Sequence, residues 1–149
     1  MVLVHPEIPP NTGNVGRLCV AAGITLHLVR PLGFRIDDRS LKRAGLDYWK
    51  KLNVVVWQDL DSYLESVEPR RIVLTSSRRG EIYHAVTYSS DDHILFGAET
   101  TGLPAELFAR FPERIARIPV RPDSVRSLNL STSAGIVVYE ALRQTGGLE

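Results

Sequence analysis

The chain is short of most residues that carry familiar chemistry. It has one cysteine, Cys19, which excludes an intrachain disulfide framework. Its four histidines, His5, His27, His84 and His93, are too scattered for a metal-ligand pattern, and no metal is expected. Aromatic residues make up only 7%, and no apolar run approaches the roughly 20 residues of a membrane helix. The first residues lack a basic-then-apolar signal pattern, so a cytoplasmic protein with no membrane partner is expected. Neither a G-x-S-x-G elbow nor, after the first strand, a G-x-G-x-x-G fingerprint is present. Those absences argue against serine-hydrolase and hydride-transfer chemistry.

Net charge is also small, at +1 over 149 residues, but its distribution is uneven. Residues 1–51 carry eight Lys/Arg against four Asp/Glu, residues 52–113 five against ten, and residues 114–149 five against three. A basic N-terminal third permits a nucleic-acid partner without the whole chain demanding one.

What is present is an alternation of short β-rich runs with helical ones, predicting a single α/β domain over residues 1–149. MVLV (1–4), ITLHLV (24–29), NVVVW (53–57), RIVLTS (71–76), HILFGA (93–98) and RIARIPV (114–120) read as strands. Val15, Leu18, Cys19 and Ala22 recur at helical spacing, with Asn11 or Thr12 as the expected cap and Gly23 as the stop. This stripe makes Cys19 a small buried hydrophobe rather than a nucleophile. Shorter helices are expected over 41–46, from Asp59 to about Val67, and over 105–111 behind Pro104. A long one carries Leu130, Ala134, Val137, Val138, Ala141 and Leu142 and closes at Gly146 and Gly147. The expected architecture is a mainly parallel sheet flanked by helices, whose ligands bind beyond the carboxyl ends of the strands.

Three strand-end loops are rich in glycine and small polar residues: TSSRRG (75–80), GAETTG (97–102) and PVRPDSVRSLNLS (119–131). Gly97 and Gly102 have the G-x-x-x-x-G spacing of a phosphate loop, yet Leu-Pro stands where Lys-Ser/Thr would follow. Glu99 between them offers a carboxylate either to a ligand or to the helix that follows. Ser127, Asn129, Ser131 and Thr132 supply more short hydrogen-bonding groups than one helix cap needs. Arg17 lies off the apolar stripe of its helix, where it is either solvated or aimed at a phosphate.

PEIPPNTGNVGRLCVAAG (6–23), FGAETTGLP (96–104) and IPVRPDSVRSLNLSTSAGIVVYEALRQ (118–144), in this order and spacing, resemble the SPOUT-class RNA 2′-O-ribose methyltransferases. PLGFRIDDRSLKRAGLDYW (31–49) resembles the members that methylate the wobble nucleotide of tRNA. The resemblance implies a C-terminal deep trefoil knot, a homodimer, tRNA rather than DNA as partner, and S-adenosyl-L-methionine as cofactor, released as S-adenosyl-L-homocysteine. It places the cofactor against Leu74, Thr75, Gly97, Glu99, Gly102, Ile118, Pro119, Val120, Ser127, Leu128 and Asn129. It puts Arg17, Asn14, Asn129 and Ser131 at the reaction centre, with Tyr139 facing substrate or the dimer partner. Arg35, Arg39, Lys42, Arg43, Lys50 and Lys51 are the expected tRNA backbone surface. The same chemistry on another tRNA or rRNA ribose, and a non-catalytic RNA-binding role, are the alternatives.

Overall fold

The structure, a computed structural model, describes residues 1–37, 39 and 46–148. Seven strands form one sheet: β1 (Val2–Val4), β2 (Leu26–Val29), β3 (Val54–Trp57), β4 (Ile72–Ser76), β5 (Glu81–Ile82), β6 (His93–Phe96) and β7 (Ile115–Arg117). Their order is β3-β2-β1-β6-β4-β7-β5, and every pairing is parallel. The helices are α1 (Pro9–Ala22), α2 (Leu46–Trp49), α3 (Leu60–Ser66), α4 (Ala105–Arg110) and α5 (Leu130–Thr145). The helix expected over 41–46 falls almost wholly outside the described residues.

Alternation along the strands sorts the apolar residues into two cores. Leu3, Leu28, Val73, Ile94 and Phe96 pack with Val15 and Cys19 of α1 and with Ala134, Val137 and Val138 of α5. Val2, Val4, Val29, Leu74 and Leu95 pack on the other face with Tyr63 and Leu64 of α3 and Leu107 of α4. Covering both faces is what requires the strands to be apolar throughout. Burying each such side chain contributes roughly 1.5–3 kcal/mol. Burial pushes the Cys19 thiol up to about 11, the behaviour of an inert core residue.

The order of the strands locates the functional edge. From β1 the chain moves outward through α1 to β2; from β6 it moves the opposite way through α4 to β7. Neighbouring strands whose onward connections diverge leave a crevice at their carboxyl ends. Here the segment after β1, residues 5–8, is bonded to the loop after β6, residues 97–102, and the open cleft lies on the other side of that loop, toward β4 and β7.

Helix α1 departs from its expected start. It begins at Pro9, with Ile8 as a cap that supplies no side-chain bond, and Asn11 and Thr12 are buried inside it. Pro9 and Pro10 suit a first turn because they bring no N–H that needs a partner. Gly16 lets α2 sit close: a Cβ there would stand 3.0 Å from Leu52 Cδ2 and 3.2 Å from Trp49 Cζ3. Tyr48 also donates its hydroxyl to the Gly13 carbonyl. The other surprise is β5, a two-residue edge strand beside β7 that no sequence pattern announced. No described helix is long and apolar enough to cross a membrane.

Candidate active site

A cleft of about 730 Å³ opens at the carboxyl ends of β4, β6 and β7. Thr75, Gly97, Glu99, Gly102, Ile118, Ser127, Leu128 and Asn129 all line it, so residues from the three strand-end loops meet there. Leu74 does not: it is fully buried in the core, and the wall at β4 begins with Thr75. Pro119 and Val120 follow β7 but are not lining residues. Arg78, Arg79, Phe108 and Arg126 complete the wall, with the Arg79 guanidinium 4.9 Å from the Phe108 ring centre. Sequence reading reached the TSSRRG loop but did not single out those arginines.

Glu99 lines the cleft and also has a task that the sequence does not suggest, while the helix that follows, α4, receives no side-chain cap. Its carboxylate accepts the N–H groups of Glu7 at 2.8 Å and Ile8 at 3.0 Å, and the side-chain amide of Asn11 at 3.3 Å. It therefore fixes the entry to α1 from 91 residues away, taking the N–H groups of the two residues that lead into the helix, and its charge complements the helix dipole. The first N–H groups of the helix itself, those of Asn11 and Thr12, go to the Ile8 carbonyl. The lock is reciprocal: Thr100 donates its N–H and hydroxyl to the Glu7 carboxylate, at 3.1 and 2.8 Å.

Asn11 carries the connection onward. The Asn129 side-chain amide donates to the Asn11 side-chain carbonyl at 2.9 Å. Asn129 also caps α5, accepting from Ser131 N–H at 2.9 Å and Ser131 Oγ at 2.7 Å. The three motifs most distant in sequence thus converge through Glu99, Asn11 and Asn129. At the other end of α5, Gln144 accepts from Tyr88 N–H and donates to the Val86 carbonyl, fixing the helix along its length.

The two glycines differ in why they are needed. A Cβ on Gly97 would lie 2.0 Å from the Gly102 carbonyl carbon, so Gly97 permits the loop to close on itself. Gly102 adopts φ +73° and faces open space, the left-handed conformation that glycine accepts without cost. Both glycines also line the cleft.

Asn14 and Arg17 are exposed and share one face of α1, three residues apart. Arg17 lies six residues beyond Asn11, about 9 Å along the helix axis. Tyr139 is 43% exposed on α5. Arg35, Arg39, Lys50 and Lys51 are exposed, Arg35 pairing with Asp37 at 3.5 Å; Lys42 and Arg43 lie outside the described residues. Among the described residues no cluster of His, Cys, Asp or Glu is placed to hold a metal ion.

Residues 1–139 match the model of the SpoU rRNA Methylase family. The chain belongs to that family. Its relatives include the tRNA (cytidine(34)-2′-O)-methyltransferase of Burkholderia cenocepacia, 50% identical over 98% of this chain and 95% of that protein. The Escherichia coli K12 enzyme of the same name is 46% identical over 98% and 93%. A solved structure concerned with 2-OH methylation of C/U34 on tRNA superposes with a TM-score of 0.88, at 43% identity, over 96% of this chain and 93% of that one. The SpoU methyltransferase AviRb of Streptomyces viridochromogenes, solved with AdoMet, gives 0.82 at 25% identity, over 96% of this chain and 56% of its own.

For this SpoU chain the cleft's chemistry suits the AdoMet that AviRb was solved with. Leu103, Ile118, Leu128 and Phe108 offer apolar surface, Thr75, Ser127 and Asn129 offer hydrogen bonds, and Arg78, Arg79 and Arg126 offer positive charge for a carboxylate.

Proposed function

We infer that this chain transfers a methyl group from S-adenosyl-L-methionine to the ribose 2′-hydroxyl of nucleotide 34, the wobble position of tRNA. The observation that carries the reading is near full-length similarity to enzymes named for that reaction, 50% identical for the Burkholderia cenocepacia enzyme. The cleft supports it, because its walls are the same segments that carry the family resemblance.

The residues proposed to hold the cofactor are Thr75, the 97–102 loop, Ile118 and residues 127–129, with backbone groups supplying much of the recognition. When bound, the cofactor supplies a methyl group activated by its sulfonium. The chain's contribution is to align the ribose oxygen with that methyl, and alignment alone is worth roughly 7–11 kcal/mol in favourable cases. Arg17 is proposed to grip a substrate phosphate and to stabilise charge on the hydroxyl oxygen as its proton departs. Asn14, one turn earlier, is proposed to orient the same nucleotide, and Asn129 with Ser131 to close the opposite side.

Family resemblance further implies the trefoil threading of the C-terminal segment and a homodimer. Tyr139, exposed on α5, supports the second proposal as a residue available to a partner copy. Tritiated methyl transfer to bulk tRNA, followed by mapping of the modified nucleotide, tests the activity. The expected result is label at nucleotide 34; label on another tRNA or rRNA ribose would move the assignment to that target. Light scattering at micromolar concentration tests the dimer, and a monomer would exclude it.

A further inference from the structure

A second concavity, of about 460 Å³, is lined by Arg30, Phe34, Arg35, Ile36, Asp37 and Trp49. The cleft described above shares none of these residues. Phe34 and Trp49 are half-buried, while Arg30 and Arg35 are exposed. Aromatic faces beside guanidinium groups are the surface that an unstacked nucleobase and its phosphate require.

The position of this pocket is set by two contacts with the proposed reaction centre. Trp49 packs over Gly16, the residue that precedes Arg17 on α1. The loop carrying Phe34 is docked on the segment held by Glu99. Gly33 N–H donates to the Pro6 carbonyl at 2.9 Å, and a Cβ on Gly33 would lie 2.7 Å from Glu7 Cα. Glu7 in turn gives its N–H to Glu99, a wall of the cofactor cleft. The pocket and the cleft therefore flank one rigid segment, residues 6–8.

We propose that this pocket is a nucleobase subsite, receiving the base of a nucleotide that flanks the methylated one in the anticodon loop. The proposal rests on the tRNA reading above. Phe34 and Trp49 provide the stacking surface, and Arg30 meets the adjoining phosphate. Asp37 provides an acceptor for an exocyclic amine. Arg35 is held by Asp37 only through a solvent-exposed ion pair, a weak restraint, and its guanidinium is free to turn to the RNA. The basic balance of residues 1–51 gives the surface the charge that RNA needs. A subsite of this kind holds the loop splayed, so that the target ribose rather than its base faces Arg17.

The test uses full-length tRNA carrying a single abasic site at each of the two nucleotides on either side of nucleotide 34. Methyl-transfer kinetics are compared for the wild type, Phe34→Leu and Arg30→Gln. In the wild type, one abasic site should raise KM about tenfold or more with kcat unchanged, the scale of one base–aromatic stack. Phe34→Leu should raise KM for intact tRNA by a similar factor and show no further penalty at that one abasic position. Arg30→Gln, a change at an exposed residue, should raise KM at every position without erasing the abasic penalty. Penalties that multiply independently at all four positions, with normal methylation of intact tRNA, would overturn the subsite alone. Wild-type protein that leaves nucleotide 34 unmethylated would overturn the substrate reading and the subsite with it. A Phe34→Leu variant that changes oligomeric state while its KM stays unaltered would assign the pocket to a contact between copies, and that also overturns the proposal.

Discussion

Asn129 donates from its side-chain amide to the side-chain carbonyl of Asn11 at 2.9 Å, joining residues 118 positions apart. The same Asn129 caps α5 through its carbonyl, so one side chain performs two separable tasks. Asn129→Ala loses both, and should cost about 1–3 kcal/mol in urea denaturation, from a lost cap and a buried carbonyl left unpaired. Asn129→Asp keeps an oxygen for the cap but loses the donor, and sets a carboxylate against the Asn11 carbonyl. It should therefore weaken S-adenosylmethionine binding in calorimetry while α5 keeps its helical signal. Unchanged affinity in both variants would show that the bridge does not shape the cleft.

Arg17 is predicted to matter to turnover rather than to the cofactor. Arg17→Lys keeps the charge but loses the fork that grips a phosphate at two points. The expected result is a 10- to 100-fold loss of kcat, roughly 1.5–3 kcal/mol, with cofactor affinity intact. Full turnover in this variant would remove Arg17 from the reaction centre.

Salt dependence checks the RNA surface. Lys50 and Lys51 are exposed at the end of α2, close in sequence to Trp49. Neutralising one phosphate-contacting cation should reduce the slope of log affinity against log salt by roughly 0.7–0.9. Variants Lys50→Gln and Lys51→Gln should each show that decrease for tRNA. An unchanged slope would place the backbone contacts elsewhere.

Acid should find a weak point on the face opposite α1. The indole N–H of Trp57 donates to His27 Nδ1 at 3.0 Å, and His93 Nδ1 bonds the Tyr63 hydroxyl at 2.9 Å. Burial, then the nearby Met1 amino group and His93, push His27 down to about 4; burial also lowers His93. Above about pH 6.5 both native and unfolded His27 are neutral, and the residue contributes no pH dependence. Between there and about pH 4 the unfolded chain takes up a proton that the native site refuses, so stability falls. Urea midpoints should decline over that interval in the wild type and decline less in His27→Gln. Parallel curves would contradict the assignment.

Much of the architecture is legible from local pattern, because burial on both sheet faces writes itself as short apolar runs. The final helix is the clearest case: its stripe and its Gly146 stop stand where periodicity puts them, and its cap, Asn129, is one of the four short polar residues before it. The start of α1 at Pro9, ahead of the expected caps, has a physical reason. Asn11 and Thr12 look like caps in a local window, but the Asn11 side chain is taken by Glu99 and Asn129, which no local window contains. Strand β5 left no signal because two residues cannot display a period. The cleft is half legible: small residues mark its loops, whereas Arg78 and Arg79 of the 75–80 loop, exposed at its wall, resemble any solvated pair until the fold brings the three loops together.

The bridge from Glu99 through Asn11 to Asn129 also has a direction. A carboxylate can only accept, so the Asn11 amide must turn its nitrogen toward Glu99 and its oxygen toward Asn129. That orients Asn129 in turn, leaving its oxygen as the acceptor for Ser131. Two amides whose flips would otherwise be arbitrary are thus set by one acid. The hydrogen of the Ser131 hydroxyl is committed inward, and what its oxygen presents outward is a pair of electrons. A neighbour that brings a proton of its own, as a ribose hydroxyl does, meets an acceptor there and no competing donor.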